Sequence, residues 1–467
     1  MLKAKQRSNI IEGPIFTGLI KFVIPMILTG VLQIMYNMAD SIVVGKLSGD
    51  YAALGAIGST TSLNSLITNF MIGISAGAGV VIAQFYGAKN EKEVSGAVHT
   101  SSGIAIIGGL IFMFIGLFLS GPILKLMGTK DAFFENARLY MRIISIGVPA
   151  TSIYNFGASI LRSVGDSKTP LYILAASSVT NVGLNLFFVL CFDTSIAGVA
   201  IATVISQYLS AIAVVWILIK NSDECYGIDL KKLKIENRYV KRILRLGLPM
   251  AFQSLLFNLS NVIFTSAVNT FEPVVVEAKT IAFSIGDVTY TAMNAFSNAV
   301  ITFIGQNYGA GKFARINKTF YISIIQVVMV GVGISVVEVI FGRQLSMLYI
   351  DANNPETERI IAAVFEIFKY FLIPYFLCGI MEVISGILKA LAYSISSMIA
   401  SLIGLAVRVL WVLFVFPLER FNSIPGLFVA YGLSWIVTII ISLLFCAGAW
   451  RKLEISKKAK AELAPLN

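Results

Sequence analysis

The chain has 467 residues, 57% of them hydrophobic and 13% charged, with a mean hydropathy of +0.82. That excludes a soluble globular domain, where about a quarter of the residues carry charge. The net charge of +11 is not a nucleic-acid footprint, because Lys and Arg fall in alternate segments between apolar runs and form no single stripe. Cys191, Cys225, Cys378 and Cys446 are scattered, and His99 has no Cys or acid beside it, so neither a disulfide framework nor a zinc site is supported.

The basic start, MLKAKQRSN, precedes an apolar run too long for a signal peptide and reads as the flank of a retained first helix. From there the apolar runs predict twelve spans, at 16–45, 52–84, 95–120, 138–161, 169–191, 196–219, 243–270, 276–306, 319–342, 360–388, 394–417 and 424–449. The expected fold is all-α and polytopic. Basic residues concentrate at both ends and in every second loop, which puts both termini in the cytoplasm. The longest of these loops, Lys220 to Arg245, carries Lys231, Lys232, Lys234, Arg238, Lys241 and Arg242 and reads as an amphipathic linker on the anionic leaflet.

That linker divides six spans from six, and a repeat crosses it. Ile82-Ala-Gln-Phe-Tyr-Gly-Ala88 aligns with Ile304-Gly-Gln-Asn-Tyr-Gly-Ala310, Pro25-Met26 with Pro249-Met250, and Ser159-Ile-Leu-Arg162 with Gly386-Ile-Leu-Lys389. Each half has an even number of spans, so the halves are parallel repeats about an axis along the membrane normal. The expected domains are an N-lobe at 1–220, a linker at 221–242 and a C-lobe at 243–467, which makes two pseudo-symmetric six-helix lobes.

Polar residues inside the spans are costly and mark candidate sites. Asp40 lies roughly 8 Å below the end of the first span, counting 1.5 Å per residue, too deep for a carboxylate to reach water by snorkelling. Asn37 shares its face. Asn155, Asn181, Asn185 and Thr203 lie in spans four to six and are candidates to converge on Asp40. There they would serve a titrating carboxyl or a sodium ion, or would simply pack helices. Gln33, Met35, Tyr36, Asn37, Asp287 and Met293 are candidates to line a substrate cavity. Where the repeat aligns Asp40, the second half has Phe264. It places Glu382 on Asn155 and Arg408 on Asn181, which predicts a Glu382–Arg408 ion pair of structural value. Glu338 in span nine is a further isolated acid. No nucleophile and base converge, so the chain does not read as an enzyme.

Three stretches in this order, Pro25 to Gly45 with Asp40, Ala83-Gln-Phe-Tyr-Gly-Ala88, and Arg162-Ser-Val-Gly-Asp-Ser-Lys-Thr-Pro170, resemble the multidrug and toxic compound extrusion (MATE) family over almost the full chain. The resemblance implies a two-lobed cell-membrane transporter with no cofactor. It would act as a monomer in the lipid bilayer, expelling amphipathic, often cationic compounds against inward H⁺ or Na⁺. It also implies that Asp40 is the coupling acid, with Asn155, Asn181, Asn185 and Thr203 around it. Some branches carry an Asp where Asn185 stands. The rival is a lipid-linked precursor flippase of the wider superfamily, which would line its cleft with several Arg or Lys.

Overall fold

The computed structural model describes residues 9–42, 51–192, 196–232, 234–351 and 354–463; side chains are outside the description at 37, 39–42, 51–54 and 192 and from 453 onward. The described chain folds into fourteen α-helices, in order α1 (Ile15–Ile42), α2 (Tyr51–Gly87), α3 (Glu91–Leu126), α4 (Asp131–Ser163), α5 (Lys168–Phe192), α6 (Ile196–Lys220), α7 (Asn237–Val268), α8 (Pro273–Gly309), α9 (Phe313–Ile340), α10 (Gly342–Met347), α11 (Thr357–Tyr370), α12 (Tyr375–Ala390), α13 (Ser394–Leu410) and α14 (Ile424–Leu463). Among the described residues, ten helices are long and apolar enough to cross a membrane, and the pair α11–α12, bent by 44°, makes an eleventh. Glu277, Lys279 and Asp287 make α8 more polar, but its 37 residues exceed the ~20 needed to span hydrocarbon.

The predicted tenth span is therefore broken. Pro374 lies in the break: it has no N–H to donate and disfavours helical geometry in the residue before it, so the chain turns between Tyr370 and Tyr375.

Two compact units result. The first is built on Lys21–Ala251 and the second on Phe252–Tyr308 with the chain from Lys312 onward. The first turns of α7 belong to the first unit because glycines let the backbones meet: a Cβ on Gly77 would lie 2.5 Å from the Gly247 Cα, and one on Gly73 2.5 Å from the Ala251 Cα. Small residues permit this close approach in membrane helices.

The linker is tied to α3 at two points along its length. Tyr226 and Ile228 are buried. The Asp229 N–H donates to His99 Nε2 at 3.1 Å, and the Glu236 N–H donates to Thr100 Oγ1 at 3.2 Å. His99 Nδ1 lies 2.7 Å from the Ser95 carbonyl, which fixes the proton on Nδ1 and leaves Nε2 as an acceptor. The lone histidine thus docks the linker onto α3, while Lys231 and Lys232 stay exposed.

Backbone conformation repeats between the two halves of the sequence. Lys89 (φ 55°) and Gly311 (φ 69°) occupy matching left-handed positions, as do Gly165 (φ 94°) and Ala392 (φ 68°).

Candidate functional site

Inside the first unit, five helices surround a cavity of about 290 Å³. Helix α2 contributes Asn64, Ser65, Thr68, Asn69 and Ile72, spaced to share one helical face. Gln33 and Tyr36 come from α1, Tyr140, Thr151, Tyr154 and Asn155 from α4, Leu174 and Ser177 from α5, and Thr203, Gln207 and Ser210 from α6. No Asp, Glu, Lys, Arg or His is among these described lining residues. The wall therefore offers amides, hydroxyls and three tyrosine rings, suited to hydrogen bonding and stacking, and no nucleophile–base pair.

The wall is held in place by bonds across helices. Tyr36 Oη donates to the Thr203 carbonyl at 3.4 Å. Asn185 Nδ2 donates to Asn181 Oδ1 at 3.2 Å, and Asn181 Nδ2 to Thr203 Oγ1 at 3.4 Å. Asn181 and Asn185 are fully buried behind Thr203. The predicted polar set thus divides: Asn155 and Thr203 face the cavity, and the two asparagines of α5 support Thr203 from behind.

The Arg162 to Pro170 motif positions this wall. Gly165 takes the left-handed conformation that a residue with a Cβ rarely adopts. Asp166 then accepts the Lys168 and Thr169 N–H groups at 3.1 and 3.0 Å, capping α5, and the Pro170 carbonyl accepts from Tyr154 Oη at 3.1 Å. A loop outside the cavity so fixes a tyrosine within it.

Of the other candidates, Gln33 and Tyr36 line the cavity, whereas Met35 is exposed and absent from its wall. The side chains of Asp40 and Asn37 lie outside the described residues. Met293 is a correction. It is fully buried in the second unit, where a Cβ on Gly331 would lie 3.3 Å from its sulfur, so it packs α8 rather than lining a cavity. Asp287 is exposed on α8.

The Glu382–Arg408 pair is a second correction. Arg408 is 2% exposed and stacks 4.1 Å from the Tyr431 ring centroid. Its Nη1 donates to Asn261 Oδ1 at 3.1 Å and its Nη2 to Ser434 Oγ at 3.3 Å. No ion pair joins it to Glu382. Register in a repeat gives depth along adjacent helices but not the direction each side chain takes, and Arg408 turns towards α7 and α14.

Sequence reasoning missed the α2 wall, Gln207 and the tyrosines of α4. Asn64, Thr68 and Asn69 recur at helical spacing, a signal easily taken for helix packing.

A polytopic helical protein with a polar cavity enclosed by one helix bundle is the architecture of a membrane transporter. The MatE family model matches residues 25–187 and 249–414, and the chain belongs to that family of multidrug and toxic compound extrusion proteins. It is 26% identical over 443 residues to the probable multidrug resistance protein YoeA of Bacillus subtilis, covering 93% of this chain and 94% of the relative. It is 23% identical to the probable multidrug resistance protein NorM of Thermotoga maritima, covering 95% of each. Among solved structures, the outward-facing conformation of a multidrug resistance MATE family transporter matches with a TM-score of 0.87 at 20% identity, over 98% of this chain and all of the other. A Pyrococcus furiosus transporter described by the reverse polarity of its binding pocket matches equally well, at 0.87 and 20% identity over 97% of this chain and 99% of that one. The fold is thus that of transporters with twelve membrane helices in two lobes, α11 and α12 together forming one of them.

Proposed function

We propose that this chain exports amphipathic or cationic toxic compounds in exchange for inward H⁺ or Na⁺, by alternating access of its two lobes, with both termini in the cytoplasm and the monomer as the working unit. Asp40 is the coupling acid, and Asn155, Asn181, Asn185 and Thr203 respond to its charge. The observation that carries this reading is the polar, tyrosine-lined cavity of the first unit, approached by Thr203 and backed by the Asn181–Asn185 chain. The multidrug resistance names of the relatives agree with it. A wall whose described residues include no Lys or Arg favours drug export over flipping of anionic lipid carriers, which need cationic partners.

Gating follows from unequal affinity. Cation binding at Asp40 moves the lobes only if one state holds that cation more tightly than the other. The test is uptake of a fluorescent cationic dye into inside-out vesicles, with proton and sodium gradients imposed separately on wild type and Asp40→Asn. One gradient should drive uptake, and the variant should abolish it. Dye movement by the variant at the wild-type rate would remove Asp40 from the mechanism.

A further inference from the structure

The second unit holds an acid that nothing above uses. Glu338 stands two residues before the end of α9, between the exposed Val336, Val337 and Ile340, yet is itself 5% exposed. It shares the inward face of α9 with Ser335 and Gly331, one and two turns earlier, so its carboxyl points at protein and not at lipid. There Oε2 accepts from Thr289 Oγ1 of α8 at 2.6 Å, and Oε1 has no partner.

A carboxylate has about four acceptor sites, and one stripped of water is tolerated only with a cation or several donors around it. The donors to Glu338 come from one residue, Thr289, through its hydroxyl and its backbone. The helices around it carry titratable groups: Glu277, Lys279, Asp287 and Tyr290 on α8, Arg343 on α10, and Tyr375, Cys378, Glu382 and Lys389 on α12. None of them acts on Glu338; Arg343 is occupied by Glu358 at 2.6 Å, and Lys279 donates to Thr265. Among the described residues no group of acids, Cys and His gathers there as a metal site would require. One small cation neutralises such a carboxyl without further ligands, and that is the proton.

We propose that Glu338 and Thr289 form a proton-binding site in the second unit, separate from Asp40. The carboxylate takes the proton on Oε1 and keeps Oε2 on the threonine hydroxyl. The balance is one proton bound and one negative charge removed, with no other bond made or broken. The end of α9 is roughly 3 Å away along the helix axis, so exchange with the aqueous phase needs only a short path. Because Thr289 and Glu338 join α8 to α9, loss of the charge weakens a charge-assisted bond between them. Proton occupancy thereby becomes a change in how two helices of this unit hold together.

The test is infrared spectroscopy of the full chain in lipid bilayers across an acid-to-alkaline series, on wild type, Glu338→Gln and Thr289→Val. Wild type should show a neutral-carboxyl C=O stretch at neutral pH that Glu338→Gln loses. Thr289→Val, which removes the hydroxyl bond to Oε2, should raise its frequency and carry it to more alkaline pH. Identical wild-type and Glu338→Gln spectra at every pH would overturn the proposal. So would loss of the band when sodium replaces choline at constant pH, since the site would then hold sodium. An unshifted band in Thr289→Val would overturn the pairing even if the glutamine variant did not fold. No transport is measured, so failure here is distinguishable from failure of the drug-export reading.

Discussion

Replacing Arg408 with methionine should leave the second unit about as stable as it is now. The two hydrogen bonds from the guanidinium, to Asn261 and Ser434, involve a charged donor and contribute about 1.5–3 kcal/mol each. The Tyr431 ring at 4.1 Å adds about 2 kcal/mol as a desolvated cation–π contact. Against this stands the removal of a cation from water, which costs several kcal/mol, and the Nε group left without a partner, worth about 1–3 kcal/mol. The opposing sums nearly cancel.

Methionine refills most of the volume and strands little. Asn261 Oδ1 still accepts from Tyr431 Oη at 3.3 Å, and the Ser434 hydroxyl donates to the Tyr431 carbonyl at 2.8 Å. The expected change is within about 1 kcal/mol, a shift of roughly 2–4 °C in Tm for a unit of this size. Thermal unfolding of the purified protein in detergent measures it. A loss of 3–5 kcal/mol is what breaking a buried ion pair produces. That result would mean a carboxylate, with Glu382 the first candidate, does depend on Arg408.

Three further outcomes follow from the geometry. Ala392→Gly relieves a left-handed residue (φ 68°) and should stabilise by up to ~1 kcal/mol, while Gly165→Ala, at φ 94°, should destabilise by about 1–2 kcal/mol; paired melting curves read both. Asn181→Leu removes two buried bonds at about 0.6 kcal/mol each in a membrane helix bundle, and should lower dye transport by more than it lowers Tm, because Thr203 loses its support. In the linker, the Lys231 N–H and the Lys232 ammonium hold the Asp229 carboxyl below the usual carboxylate range. A depressed folded-state value means that this contribution is present above the ordinary range and is lost as pH falls through the depressed value. The hydrogen-exchange protection of the Lys231 amide should therefore fall at acid pH in wild type and show no such step in Asp229→Asn.

The spans were legible because ~20 apolar residues bounded by charge have few other uses, but the break at Pro374 inside 360–388 was not, since hydropathy runs on unchanged across it. The repeat was legible in Ile82–Ala88 and Ile304–Ala310, and the matched left-handed turns at Lys89 and Gly311 give it a backbone counterpart. Much of the cavity was not. Asn64, Thr68 and Asn69 are neutral and small, and hydropathy weighs them alike whether they pack helices or face a cavity. His99 was read as a histidine without company because its partner is a backbone N–H some 130 residues away, and backbone donors leave no mark in a sequence. Arg408 was placed at the right depth with the wrong neighbour, since a helix position fixes height while rotation about the axis is set by packing.

The unequal chemistry of the two units has a volume argument behind it. Phe264, which the repeat aligns with Asp40, is 1% exposed and meets Phe428 at 5.2 Å and Tyr431 at 4.7 Å between ring centroids, with Phe283, Phe371, Tyr375 and Trp435 completing the cluster. Rings of that size fill the space between helices to ordinary interior density. In the first unit the rings of Tyr36, Tyr140 and Tyr154 stand in the cavity wall. Asparagines, serines and threonines of the same unit border that cavity, whose polar wall can hold water or ligand. Glu338 and Arg408, buried in the second unit, therefore face packed protein, where an unpaired charge is costly and its protonation or hydrogen bonding becomes the variable that responds. On this argument the two halves of one repeat differ in what they offer: the first borders a cavity with neutral polar side chains, while the second buries Glu338 against the Thr289 hydroxyl.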